Sequence, residues 1–195
     1  SYQKFNRSKN HDYTLMFWFR TSDENGTLLS NGEAQRGQSD QLNIGLEDGA
    51  LYVRSSGFEH KTDSYVDDNE WHSFAMTVSR NRNVANIYVD KRMVETFAAD
   101  SLSGFEGDII SLGATYDKKG MKDPLTGNID EVGMFESVLP VDLLLKYTTH
   151  TPIATTKPLM FYLDFGRSEH LNNNEMRLEP TGISIKRYVD SQGKV

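Results

Sequence analysis

From Trp71 to Arg80 apolar and polar side chains alternate, with Phe74, Met76 and Val78 on one side and Ser73, Ala75 and Thr77 on the other. A repeat of two belongs to extended backbone, whose successive side chains point to opposite faces, whereas a helix repeats about every 3.6 residues. Asn81, Arg82 and Asn83 then supply a polar turn, and Ala85, Ile87 and Val89 alternate with Asn86, Tyr88 and Asp90 on the return. Two half-buried strands joined by a short turn make an antiparallel hairpin. Its apolar face is assigned to the core of a layered β-structure.

The remaining chain repeats this pattern. Tyr13, Leu15, Phe17 and Phe19 alternate with Met16 and Trp18, so that strand is apolar on both faces and is expected at the centre of a sheet, covered on each side. Trp18 then belongs to a core or to the floor of a ligand groove. Leu42, Ile44 and Leu46 run into Asp48-Gly49, after which Leu51 and Val53 alternate with Tyr52 and Arg54. Asp-Gly between two alternating runs is a strong hairpin signal. Residues 55–68 read as a polar link, partly strand, and residues 94–97 as an edge strand. Residues 109–112 and 127–135 read as further strands, with 116–125 a charged loop between them. One helix is expected near 139–147, with Pro140 in its first turn. Many short strands and a single helix predict an all-β fold, a two-sheet antiparallel sandwich.

Composition narrows the functional classes. A net charge of −7 with scattered Lys and Arg disfavours nucleic acid, which demands clustered cations. The chain has no Cys, which removes disulfides and thiolate metal sites. No apolar run is long enough to span a membrane. The start at Ser1, without an apolar signal segment, reads as a piece of a larger multidomain chain. The expected organisation is a sandwich over 1–147 and a Thr- and Pro-rich connector over 148–158. A strand-rich extension over 159–195 then packs on the sandwich or opens a further domain.

The succession Tyr13–Arg20, Leu42–Leu51, Glu70–Val78, Ile87–Asp90 and Gly127–Val132 resembles laminin G-like domains of the concanavalin A-like jelly-roll superfamily. The resemblance implies two antiparallel sheets of six or seven strands, one concave and one convex. It also implies an extracellular or cell-surface recognition module without catalytic activity, with carbohydrate as the leading ligand. The alternatives are an adhesive or structural domain that binds a protein, and a glycan-active enzyme jelly roll. Two features depart from the family. Lys91 follows Asp90 where glycine is usual, which puts a positive φ in that turn in doubt. Only Tyr2–Phe5 is available for the strand that the family places before Tyr13, and Phe161–Phe165 is expected to supply the missing neighbour.

The resemblance also implies one calcium ion at a sandwich rim, held by Asp40, by backbone carbonyls near Gly57 and Ser103, and by Asp108 or Glu106, since Phe105 offers no ligand. For a glycan the expected platform is Tyr52, Arg54, Asn86 and Tyr88 on polar strand faces, with Tyr116 in a loop, provided that one sheet gathers them. Aromatic faces would meet sugar C–H faces while polar neighbours fix hydroxyls. Solvated tyrosines that merely pair across strands are the plain alternative. Catalysis has little support. Asp130 and Glu131 are adjacent and point to opposite faces of a strand, so they cannot flank one glycosidic bond. The five His residues lack zinc spacing, and His72 is expected to be structural.

Overall fold

The computed structural model describes residues 11–31, 42–55, 57–102, 110–117, 120–146 and 159–163. Among the described residues, thirteen strands, one α-helix and one short 3-10 turn (Ala99–Ser101) follow in chain order. They are β1 (Tyr13–Thr21), β2 (Gly26–Asn31), β3 (Leu42–Glu47), β4 (Ala50–Ser55), β5 (Phe58–Tyr65), β6 (His72–Ser79) and β7 (Val84–Val89). Then come β8 (Arg92–Phe97), β9 (Ile110–Leu112), β10 (Thr115–Asp117), β11 (Gly120–Lys122), β12 (Gly127–Phe135), α1 (Val141–Lys146) and β13 (Leu159–Leu163). One sheet has the order β13-β12-β1-β6-β7-β8, the other β5-β4-β3-β2-β9, and β10-β11 is a separate ribbon. Every pairing is antiparallel.

Alternation decides which face each strand buries. Leu15, Phe17 and Phe19 of β1, Phe74, Met76 and Val78 of β6, and Ile87 of β7 meet Ile44, Leu46, Leu51 and Val53 of the opposite sheet in one core. Phe17 sits directly across from Phe74 in the ladder, and their rings stack 4.8 Å apart. Burying each such ring contributes roughly 1.5–3 kcal/mol, and truncating one costs more because a cavity remains. As expected for a strand apolar on both faces, β1 is central, flanked by β12 and β6.

Its second face is covered too. Met16, Ala75, Tyr88 and Phe135 form a smaller buried cluster with Leu139 and Leu144, and Trp18 packs against it half-buried. Helix α1 is thereby docked on the outer face of the six-stranded sheet. Thr14 holds its approach: the hydroxyl donates to the Ser137 carbonyl at 2.8 Å and accepts the Leu139 N–H at 2.9 Å.

Several expectations are corrected. Residues 115–122 are not a plain loop but contain the β10-β11 ribbon. Asp90 and Lys91 do adopt positive φ, 48° and 66°, without glycine. Among the described residues the sheets have six and five strands. Residues 159–163 pair with β12, placing Phe161 opposite Met134, while the possible strands at 2–5 and 176–188 lie outside the described residues.

Candidate functional site

The two sheets part company at β5 and β8, the last strands of each on the same side of the sandwich. At one end of this seam Phe58 and Phe97 pack at 4.7 Å, with the His60 ring 5.9 Å from Phe97. His60 Nε2 also lies 3.2 Å from Glu95 Oε1 across the seam. Towards the other end β5 finishes at Tyr65 and β8 begins at Arg92, and there the sheets leave a groove of about 500 Å³. A volume of that order suits a small organic ligand.

The ladder explains what the groove presents. Arg92 pairs with Val89 and Glu95 with Ile87, so both lie on the β8 face that looks towards the other sheet. Val66, Val89 and Val94 are among its apolar lining residues, and Asp63, Ser64, Asp90, Arg92 and Glu95 among its polar ones. Tyr65, paired with Ala50, and Met93, paired with Tyr88, stand at the margins on the outer faces of their sheets, 70% and 59% exposed. An aromatic ring so exposed contributes nothing to the core, which leaves it available to a partner's apolar face.

Asp90 is held in place from behind. Its Oδ2 bonds His72 Nδ1 at 2.8 Å, its Oδ1 accepts the Ser73 N–H at 2.9 Å, and its own N–H donates to the Ser73 carbonyl. The other ring nitrogen, His72 Nε2, meets Asp68 Oδ1 at 2.9 Å, and Asp68 also accepts the Glu70 N–H. Two carboxylates on one imidazole favour its charged form. The Asp90 bond chiefly, against burial and with help from Asp68, pushes the His72 pKa up to about 9. Burial alone would raise the Asp90 carboxyl, but the His72 and Ser73 bonds outweigh it and hold the group below the usual carboxylate range. Asp68 is lowered for the same reason, through His72 first and the Glu70 N–H second. His72 is therefore structural, as its sequence neighbourhood predicts.

The platform expected from sequence is not assembled. Tyr52 and Arg54 belong to β4 of the five-stranded sheet, while Asn86 and Tyr88 belong to β7 of the six-stranded one. Both pairs alternate with core residues and so face outward on opposite sides of the sandwich. Tyr88 is buried beneath α1, and burial raises its hydroxyl pKa. Asn86 stays half-buried beside Thr77, with Nδ2 3.5 Å from its hydroxyl. Tyr52 is also buried. Its ring lies over Gly45, where a Cβ would meet the phenol oxygen at 2.6 Å, and its hydroxyl donates to Asn43 Oδ1. Asn43 in turn donates to Thr115 of the ribbon, and Thr115 shares a hydrogen bond with Thr27. Arg54 stacks 3.9 Å above the Tyr52 ring and bonds Glu47 and Glu59, so its charge is already engaged. Tyr116 belongs by its backbone to β10 rather than to a loop.

Of the expected calcium ligands, Asp40, Ser103, Asp108 and the substitute Glu106 lie outside the described residues. Gly57 occupies the β4–β5 turn at φ 83°, with open space around it. Asp130 and Glu131 do not share a cleft, because Glu131 is fully buried at φ 55° where β12 bulges against β1. None of the groove residues stands out in the sequence, since Asp63–Tyr65 fall in what reads as a polar link. The one available signal was the alternation of Phe58, His60, Thr62 and Ser64, which marks a full strand whose end must lie beside something.

Comparison with known proteins agrees with this architecture. A family model described as the concanavalin A-like lectin/glucanases superfamily matches residues 2–142. No curated protein matches the chain. Among solved structures, a Bacteroides ovatus protein provisionally assigned as carbohydrate binding has a TM-score of 0.63 at 17% identity, covering 80% of this chain and 45% of its own. The chain thus spans less than half the length of that protein. The Ruminococcus gnavus IT-sialidase CBM40 bound to α2,3-sialyllactose has a TM-score of 0.59 at 16% identity, covering 70% of this chain and 81% of its own. Domains LG4-5 of mouse laminin α1 have a TM-score of 0.54 at 14% identity, covering 71% and 42%. Likeness at these identities concerns the fold.

Proposed function

Since the chain belongs to the concanavalin A-like lectin/glucanase superfamily, we propose that it is a non-catalytic carbohydrate-recognition module that holds a glycan in the groove between β5 and β8. The observation that carries this reading is Tyr65, an aromatic ring left 70% exposed at the edge of a groove that also offers carboxylates, a hydroxyl and a guanidinium. Sugar rings need both: an apolar surface for their C–H face and rigid polar groups for their hydroxyls. The fixing of Asp90 by His72 and Ser73 supports it, because a pre-positioned acceptor loses little freedom on binding. Carbohydrate is also what the B. ovatus and R. gnavus neighbours are described as binding. The test is a glycan array with wild type and Tyr65→Ala. Signals that fall at least about tenfold in the variant support the groove, in line with loss of a stacked ring. A blank array, or signals indifferent to Tyr65, rejects it and moves the module to the protein-binding alternative.

The same proposal includes a place outside the cell or on its surface, within a larger protein. No helix among the described residues is long and apolar enough to cross a membrane. It also includes one calcium ion held by Asp40, Asp108 and the carbonyls of Gly57 and Ser103, a hard-oxygen set suited to that metal. Calorimetric titration of the metal-free protein should show heat with calcium and none after Asp40→Ala. Absence of heat in wild type removes the ion.

A further inference from the structure

From the charges around the groove we infer that its ligand is an uncharged glycan, and that acidic sugars are rejected; this rests on the groove being the glycan site. Among the described residues, Asp63, Asp90 and Glu95 line it against one cation, Arg92. The nearby cations do not redress the balance. Lys91 follows Asp90 in the turn but lines a small hollow with Ser73, Ala75, Tyr88 and Leu144, on the side of the sheet that carries α1. Lys61 points to the outer face of the other sheet, where it meets Asp48 at 3.1 Å and Glu47 at 3.9 Å. Arg54 is held there by Glu47 and Glu59.

His72 does not reverse the sign either. As a cation it is shared by Asp68 and Asp90, so that triad keeps one net negative charge. With Asp63 and Glu95 each negative and Arg92 positive, two negative charges stay uncompensated, and His60 beside Glu95 offsets one only when protonated. Asp67 and Glu70 add to the same sign in the loop that leads from β5 to β6. A ligand carboxylate or sulfate brought here meets repulsion within a screening length of about 8 Å. Hydroxyls donating to Asp63, Asp90 and Glu95 gain charge-assisted hydrogen bonds instead. Charge placed against the wrong partner is an ordinary source of selectivity.

The experiment is an array carrying neutral oligosaccharides beside their sialylated, uronic-acid and sulfated counterparts, probed at 0.15 M salt with wild type, Tyr65→Ala and the double variant Asp63→Asn/Glu95→Gln. Asp63 and Tyr65 are exposed and Glu95 is half-buried beside His60, and melting curves check that each protein folds. The expected result is that wild-type signals are confined to neutral glycans and depend on Tyr65. The double variant should gain acidic counterparts of the same glycans by about tenfold, the scale of losing two nearby like charges. Wild type that prefers, or binds equally, the sialylated members overturns the inference while the groove stands. A double variant that gains no acidic ligand overturns it likewise. A blank array, or signals that ignore Tyr65, removes the groove itself and the inference with it.

Discussion

Two turns of the molecule have the same shape and different causes. Asp48-Gly49 joins β3 to β4 with φ of 51° and 76°, and Asp90-Lys91 joins β7 to β8 with φ of 48° and 66°. Two successive left-handed residues suit the right-handed twist of the strands they connect. In the first turn glycine takes its left-handed position without a steric penalty, and the Asp48 N–H is met by Asn25 Oδ1 at 3.1 Å. In the second, both residues carry a Cβ, at a cost of about 1–2 kcal/mol each. The Asp90 carboxylate, bonded to His72 and to the Ser73 N–H, offsets that cost. One turn is encoded in its own two residues, the other by a histidine on the neighbouring strand.

The sharpest way to break this contrast is His72→Leu. It leaves Asp90 and Asp68 without their shared partner, and chemical denaturation should show a loss of about 3 kcal/mol, typical of removing hydrogen bonds to charged groups. Indifference to the substitution would mean that the second turn is held by something else. Gly49→Ala tests the first turn: besides the positive φ, its Cβ would meet the Asp67 carboxylate at 2.6 Å. The expected loss is about 2 kcal/mol by the same measurement.

The clamp also predicts a pH dependence that the Gly turn lacks. His72 is raised from 6.5 to about 9, so its contribution is complete below pH 6.5 and fades as pH climbs through 9. Asp68 and Asp90 are lowered from 3.8, so theirs is complete above that value and fades as pH falls below it. Stability from the clamp should therefore be greatest between about pH 4 and 6.5 and drop by roughly 1–2 kcal/mol towards pH 9, allowing for solvent screening. In His72→Leu that alkaline slope should be absent. The smallest effect is expected from Lys91→Gly, which relieves a left-handed Cβ at the expense of a looser unfolded chain: a gain of about 0.5 kcal/mol, read as a slightly higher melting temperature. A clear loss would show that the Lys91 side chain, which lines a hollow with Tyr88 and Leu144, matters more than its backbone strain.

The same contrast explains what was legible in the sequence. Period-two alternation in β1, β3, β4, β6 and β7 is local, and it identified the core residues Phe17, Ile44, Val53, Phe74 and Ile87. It also told correctly that Tyr52 and Tyr88 face away from that core. It could not tell that α1 covers Tyr88 or that the Tyr52 ring lies over Gly45, because cover comes from segments distant in sequence. Facing outward and being exposed are separate properties. The groove was illegible for the same reason: Tyr65 and Arg92 acquire a joint meaning only where β5 and β8 end up on the same side of two different sheets.

The central position of β1 has a consequence in time. Its two neighbours are β6 and β12, with Phe17 across from Phe74 and Phe19 across from both His72 and Ile129. A ribosome therefore delivers the most apolar strand well before either strand that will shield it. Its amides and its phenylalanines must wait in a non-native environment until residue 135 has emerged, and only then does closing such long loops return any stabilisation. Folding of this sandwich is accordingly expected on the slow, milliseconds-to-seconds scale of non-local β proteins, with the order of synthesis running against the order of assembly.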